Sequence, residues 1–202
     1  WQAVNLAMLP FLVLAGGAAR ADNVNGTWSS VHNWPLIPIH AVLLPDERIL
    51  SYGSTASGVQ SGRFIYDVWD PAGGLSGGHL TLPNQTVTDI FCSSQIVLPG
   101  GSGVFIAGGD VWNGSQVLNS ANPNTNFYQL SNNTLTAQNN MNRPRWYSTS
   151  TVLPNGEIYV QGGSSGGDRP EVRQANGTFR LLTGANTSSL DTTYPRNFVA
   201  PN

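Results

Sequence analysis

The sequence predicts an all-β chain assembled from repeated four-stranded antiparallel sheets, and three observations carry that prediction. A strand–turn–strand unit recurs with a proline at a fixed place in each copy. Composition favours tight turns: of 202 residues 23 are Gly, 13 are Pro and 10% are charged, where about 25% charged is usual in soluble domains. No stretch longer than a turn or two keeps a helical apolar period between recognisable caps, so helix content should be very small.

The first copy is His40-Ala-Val-Leu-Leu-Pro45 followed by a strand to Gly53, the second Cys92-Ser-Ser-Gln-Ile-Val-Leu-Pro99, and the third Tyr147-Ser-Thr-Ser-Thr-Val-Leu-Pro154. The prolines at 45, 99 and 154 are spaced by 54 and 55 residues. In the second and third copies a turn follows, Gly100 to Gly103 and Asn155-Gly156, and then a strand ending in Gly-Gly at Gly108-Gly109 and Gly162-Gly163. That is a hairpin pattern. Each hairpin has two further strands after it: Phe64 to Pro71 and Gly78 to Leu82, Asn126 to Leu130 and Thr134 to Thr136, Glu171 to Arg173 and Phe179 to Leu182. Trp69 and Phe127 are expected to pack between adjacent sheets.

A period near 50 with these features is the signature of kelch-type β-propeller blades. Propeller sheets expose apolar faces that only neighbouring blades cover, so the ring must close. Three blades do not close it; a six- or seven-bladed ring needs roughly 300 residues or more. The chain therefore reads as an incomplete propeller over residues 22–202, ending at Val199-Ala-Pro-Asn202 in what looks like the next strand and turn.

Ahead of it, Leu6 to Ala15 is a short apolar run followed by small residues, Ala19 and Ala21 among them. Residues 1–21 read as a truncated secretory signal peptide, too short to span a bilayer; the competing reading is a strand of the folded domain. Export implies a secreted, extracellular or periplasmic protein with no membrane anchor. Asn-x-Ser/Thr sequons stand at Asn25, Asn84, Asn113, Asn132, Asn176 and Asn186 and matter only in a glycosylating host. A formal net charge of -2 leaves no basic face for a phosphate backbone, so nucleic acid is excluded as a partner.

The single cysteine, Cys92, rules out an internal disulfide. A lone buried thiol ordinarily serves as a small hydrophobe, but Cys92 and Tyr147 each stand seven residues before their proline. Equivalent positions of neighbouring repeats lie side by side, so thiol and phenol are expected to be neighbours. Alternation would put Cys92, Ser94 and Ile96 on one side of a strand and Tyr147, Thr149 and Thr151 on the corresponding side of the next.

With these residues in view, the chain resembles the copper radical oxidases, the galactose oxidase and glyoxal oxidase family. The motifs are Thr88-Asp-Ile-Phe-Cys92, Ala107-Gly-Gly-Asp110, Met141-Asn-Arg-Pro-Arg-Trp-Tyr147, Gln161-Gly-Gly163, Asp168-Arg-Pro-Glu171 and Tyr194-Pro-Arg-Asn197. The likeness runs from about Asn25 to Asn202 and rests on the order and spacing of the motifs together.

The resemblance implies a seven-bladed propeller holding one copper near its axis. Cys92 would be joined by a thioether bond to the Tyr147 ring beside its hydroxyl, forming a protein-derived radical cofactor, with Tyr147 binding copper. A small-molecule alcohol, aldehyde or carbohydrate would be oxidised and dioxygen reduced to hydrogen peroxide, with Arg196 near the substrate hydroxyls. A thioether makes the phenol easier to oxidise, and a bound cation favours its phenolate. The second tyrosine and the two histidine ligands of the family belong to later blades, so these 202 residues alone are expected to be inactive.

His32, His40 and His79 are expected to be structural. Ser164-Ser165 stands where galactose oxidase carries a stacking tryptophan, which leans toward the glyoxal-oxidase-like and bacterial members. Arg143 and Arg145 are expected to satisfy carbonyls around the axis, and Trp146 to pack. Two alternatives remain: a non-catalytic kelch propeller binding carbohydrate or protein, and a degenerate oxidase keeping the thioether as a staple. Fold does not choose among them.

Overall fold

The computed structural model describes residues 26, 28–190 and 193–201. The expected signal segment, residues 1–21, and the Asn25 sequon lie outside them. From His32 onward the described residues form three four-stranded antiparallel sheets. The first holds β1 (Leu36–Leu43), β2 (Ile49–Thr55), β3 (Ile65–Trp69) and β4 (His79–Pro83). The second holds β5 (Ser94–Val97), β6 (Gly103–Ala107), β7 (Thr125–Gln129) and β8 (Thr134–Ala137). The third holds β9 (Trp146–Val152), β10 (Ile158–Ser164), β11 (Glu171–Arg173) and β12 (Phe179–Leu181). Strands pair in chain order within each sheet. A 3-10 turn at Pro71–Gly73, capped by the Asp70 carboxylate, is the one helical element among the described residues. The predicted hairpins and outer strands are all present.

β6 explains why the sheets stack. All five of its residues are buried, and they alternate between two cores. Val104 and Ile106 pack with Leu44, Leu50, Tyr52, Tyr66 and Val68 of the first sheet and Tyr128 and Leu135 of their own. Phe105 and Ala107 face the other way, onto Met141, Ile158 and Val160. Each such side chain gains about 1.5–3 kcal/mol by leaving water, so the middle sheet is stable only with a sheet on either face.

Of the two aromatic residues expected between sheets, Trp69 packs elsewhere. Trp69 packs within its own sheet's neighbourhood, 5.0 Å from Trp34 and 6.2 Å from His79 between ring centres, with its indole N–H donating to Gly74 and Gly77 carbonyls. Phe127, half-buried over Gly103 of the adjoining strand, pairs with Phe105 and so shares the face turned to the third sheet, as expected. The inter-sheet contacts are made by Tyr66 against Tyr128, 6.1 Å apart edge to face, and by Phe105 against Phe179 at 6.3 Å. Tyrosine is usable there because both hydroxyls find partners on Asn133, Tyr66 on its carbonyl and Tyr128 on its side-chain oxygen, each at 2.8 Å.

Among the sequons, Asn84 is buried. Its amide donates to the Gly62 and Thr88 carbonyls and its oxygen accepts from Thr86, so in the folded chain this motif closes a turn. Asn113, Asn132, Asn176 and Asn186 are exposed.

Candidate active site at the strand entrances

Cys92 and Tyr147 meet just where β5 and β9 begin. Both adopt left-handed backbone, φ 57° and 68°, a conformation that costs a non-glycine residue roughly 1–2 kcal/mol. The Tyr147 N–H donates to the Cys92 carbonyl at 2.9 Å, which makes the two residues neighbours, close enough for thiol and phenol to shift each other's ionisation. A third residue shares the pattern. Tyr194, φ 48°, donates its N–H to the Tyr147 carbonyl at 2.7 Å, and its phenol is near enough to influence the ionisation of the Cys92 thiol. Its ring stands edge-on to that of Tyr147, 5.4 Å away. The sequence reading placed Tyr194 in a motif but gave it no part in the site, although the signal was present: it lies seven residues before Pro201, as Cys92 and Tyr147 do before Pro99 and Pro154.

Period-two alternation holds along β5, but the corresponding sides of successive strands do not face each other as the sequence reading assumed. Ser94 on β5 bonds Ser150 at 2.7 Å and Ser148 at 3.3 Å, not Thr149, while Ser93 and Gln95 turn to Tyr52 of the first sheet. Stacked sheets present opposite faces to each other, so residues on the same side of successive strands cannot meet. Cys92 and Tyr147 come together through their left-handed turns, outside the regular pleat.

The Gly-Gly signature makes that approach possible. Gly109 donates its N–H to the Arg145 carbonyl at 3.0 Å, and Cβ atoms at Gly108 and Gly109 would strike the carbonyls of Arg145 and Asp89 respectively. The second strand of the sheet thus lies directly against the segments leading into Cys92 and Tyr147. Arg145 does satisfy carbonyls, those of Gly162 and Arg169, and also forms a buried ion pair with Glu171 that was not foreseen. Trp146 packs 4.3 Å from the Tyr147 ring.

Burial pushes the Tyr147 phenol up to about 12, with the Cys92 thiol adding to the shift. Burial also raises Cys92, with Tyr147 and Tyr194 pulling the other way; Tyr194, 43% exposed, is raised too, by partial desolvation and then by the neighbouring Cys92. All three are protonated at neutral pH. Below them a hydroxyl-rich cavity of about 160 Å³ is lined by His40, Ser93, Ser94, Gln95, Thr149 and Tyr194 among others. Arg196 does not line it. It borders a separate cavity of about 450 Å³ with Thr151, Tyr159, Gln161 and Phe198.

Of the three histidines, His79 bonds Asp67 at 2.7 Å within its sheet, and His32 lies 3.4 Å from Ser76. His40 touches the site: its Nε2 accepts the Cys92 N–H at 3.0 Å, and its ring stacks on Tyr52 at 4.7 Å. Burial lowers its pKa from 6.5 to about 4, partly offset by a hydrogen bond to Gln95. The unfolded chain therefore takes up a proton that the folded chain refuses. The stability tied to this group is fully present above pH 6.5 and falls as pH drops towards 4, by roughly 3 kcal/mol. Denaturant unfolding at pH 7 and 4.5 should show that loss in the native chain and not in His40→Gln; equal acid sensitivity of the two would rule it out.

As a copper site the residues fit in part. The Tyr147 oxygen suits copper(II), which favours nitrogen and oxygen donors. The Nε2 lone pair of His40 is already engaged, and among the described residues no cluster of three His, Cys, Asp or Glu could hold a metal.

No protein-family model and no curated protein matches the chain. Its fold does match a solved structure described as a novel fungal alcohol oxidase with catalytic diversity among the AA5 family, in complex with copper. The TM-score is 0.63 and the identity 22%, over 80% of this chain and 33% of that one. The chain thus spans a third of that protein's length, and at this identity the likeness speaks for the fold.

Proposed function

We propose that the three sheets are blades of a kelch-type propeller that closes with seven, and that the full-length protein is a secreted or periplasmic copper radical oxidase. Its substrates would be primary alcohols or aldehydes, carbohydrates included, with O2 reduced to H2O2. The observation that carries the reading is the meeting of the chain's one cysteine with Tyr147, two residues held in matching left-handed turns. A copper-bound structural neighbour agrees with it.

Copper, when bound, would supply one-electron chemistry and the positive charge that favours the Tyr147 phenolate at neutral pH. Tyr147 would hold it through oxygen, releasing its proton, and nitrogen ligands would come from parts of the full-length protein outside these 202 residues. Cys92 would be joined to the Tyr147 ring carbon beside the hydroxyl. In that step the S–H and ring C–H bonds break, an S–C bond forms, and two hydrogens pass to O2 as H2O2. Arg196 would offer its planar fork of donors to substrate hydroxyls.

Intact mass spectrometry of the full-length protein after copper and oxygen treatment tests this. Loss of two hydrogens, mapped to linked peptides carrying Cys92 and Tyr147, is the expected result. A Cys92 that stays freely alkylatable would sink the proposal and leave a propeller that binds carbohydrate or protein.

A further inference from the structure

Within the oxidase reading, we infer that His40 is the positioning residue for Cys92: its imidazole captures the Cys92 N–H and so holds the backbone that turns the thiol towards Tyr147. The argument starts from a break in the repeat. The N–H of Tyr194 goes to the Tyr147 carbonyl, and that of Tyr147 to the Cys92 carbonyl. Continued backwards, the Cys92 N–H should go to the carbonyl of the equivalent residue in the first sheet, seven before Pro45, which is Pro38. At that place β1 slips register against β2, between Ile37 and His40. The Cys92 N–H turns instead to His40 Nε2. A buried N–H without a partner would cost about 1–3 kcal/mol, so the side chain replaces the acceptor that the bulge displaces.

The surroundings suit a neutral imidazole with its proton on Nδ1. His40 is 6% exposed, stacked on Tyr52 and edge-on to Phe91 at 6.5 Å. With Nε2 accepting the Cys92 N–H, a neutral imidazole carries its proton on Nδ1; the Gln95 side chain beside it accepts the Tyr52 hydroxyl through its oxygen at 3.1 Å. The titratable groups around it are Tyr52, Cys92 and Tyr194, all protonated and neutral at pH 7; burial keeps the imidazole uncharged as well. Phe91 N–H is meanwhile held by the Asp89 carboxylate at 3.1 Å. Two successive amides ahead of β5 are thus tied down by side chains.

Because the chain has one cysteine, cysteine-selective ¹⁵N labelling of the copper-free full-length protein gives one amide signal from this segment. His40→Phe keeps the ring stack and removes the acceptor; His40→Gln keeps an acceptor without the imidazole. Cys92 amide exchange with deuterium should be at least about ten-fold faster in His40→Phe, the worth of one net hydrogen bond, and return close to the native rate in His40→Gln. Thioether formation on adding copper should slow and recover in the same order. In the native protein labelled at cysteine and histidine, a scalar coupling between the Cys92 amide nitrogen and His40 Nε2 is expected and needs no variant. Absence of that coupling, or native exchange in His40→Phe, overturns the inference. No thioether in the native protein despite the coupling and the exchange pattern would count against the oxidase and leave the His40 clamp standing.

Discussion

Tyr147→Phe in the full-length protein is expected to abolish copper-dependent alcohol or aldehyde oxidation, lowering kcat/KM by more than about 100-fold. That is the upper end of the effect of losing a group that only supports a metal ligand, and Tyr147 would be a ligand itself. The substitution removes one oxygen and leaves the ring against Trp146 and Tyr194, so folding should be nearly unchanged. Cys92→Ala separates the two roles of the pair. It keeps the phenol, so copper should still bind, while activity should fall if, as proposed, the ring carries the Cys92 sulfur that eases its oxidation. Copper titration with steady-state rates on both variants makes the comparison. A Tyr147→Phe protein within ten-fold of native activity would show that the reacting group lies elsewhere.

The repeat was legible because its marks are backbone requirements. A proline ends each first strand, and a Gly pair follows wherever the next segment's carbonyls come too close for a Cβ, as at Gly108 and Gly109. Those marks placed Cys92 beside Tyr147 and would have placed Tyr194 too, had the spacing been carried on to Pro201. Which side chains face which was much less legible. Period-two alternation describes a strand, but residues 92 and 147 have left-handed backbone, and no propensity marks a Cys or Tyr for that. Nor does a strand pattern say whether Trp69 or Tyr66 crosses to the next sheet. Tyr66 does, because Asn133 in the second sheet offers its hydroxyl a carbonyl. His40 was read as structural on its strand position. Its contact is with an amide 52 residues away, reached only because β1 is bulged.

Glu171→Gln is expected to destabilise the full-length protein by about 3–5 kcal/mol, the usual effect of leaving a buried charge without its partner. Arg145 and Glu171 are both wholly buried. The guanidinium donates to one carboxylate oxygen through Nε at 3.2 Å and Nη2 at 3.0 Å, and to the carbonyls of Gly162 and Arg169. The other carboxylate oxygen accepts the Asn142 N–H at 2.7 Å and its side-chain amide at 3.0 Å. The pair therefore ties the segment entering β9 to the glycine end of β10 and to β11, two residues ahead of Tyr147. Glutamine preserves the shape and one acceptor but not the charge, so Arg145 is left as an uncompensated cation. In a double-mutant cycle with Arg145→Met, the combined loss should be well below the sum of the single losses, since removing both charges removes the penalty. Denaturant midpoints measure all four proteins. A Glu171→Gln loss under about 1 kcal/mol would match an exposed ion pair, and would mean that water or a shift of the β9 entrance relieves the charge, with the Cys92–Tyr147 contact loosened by the same movement.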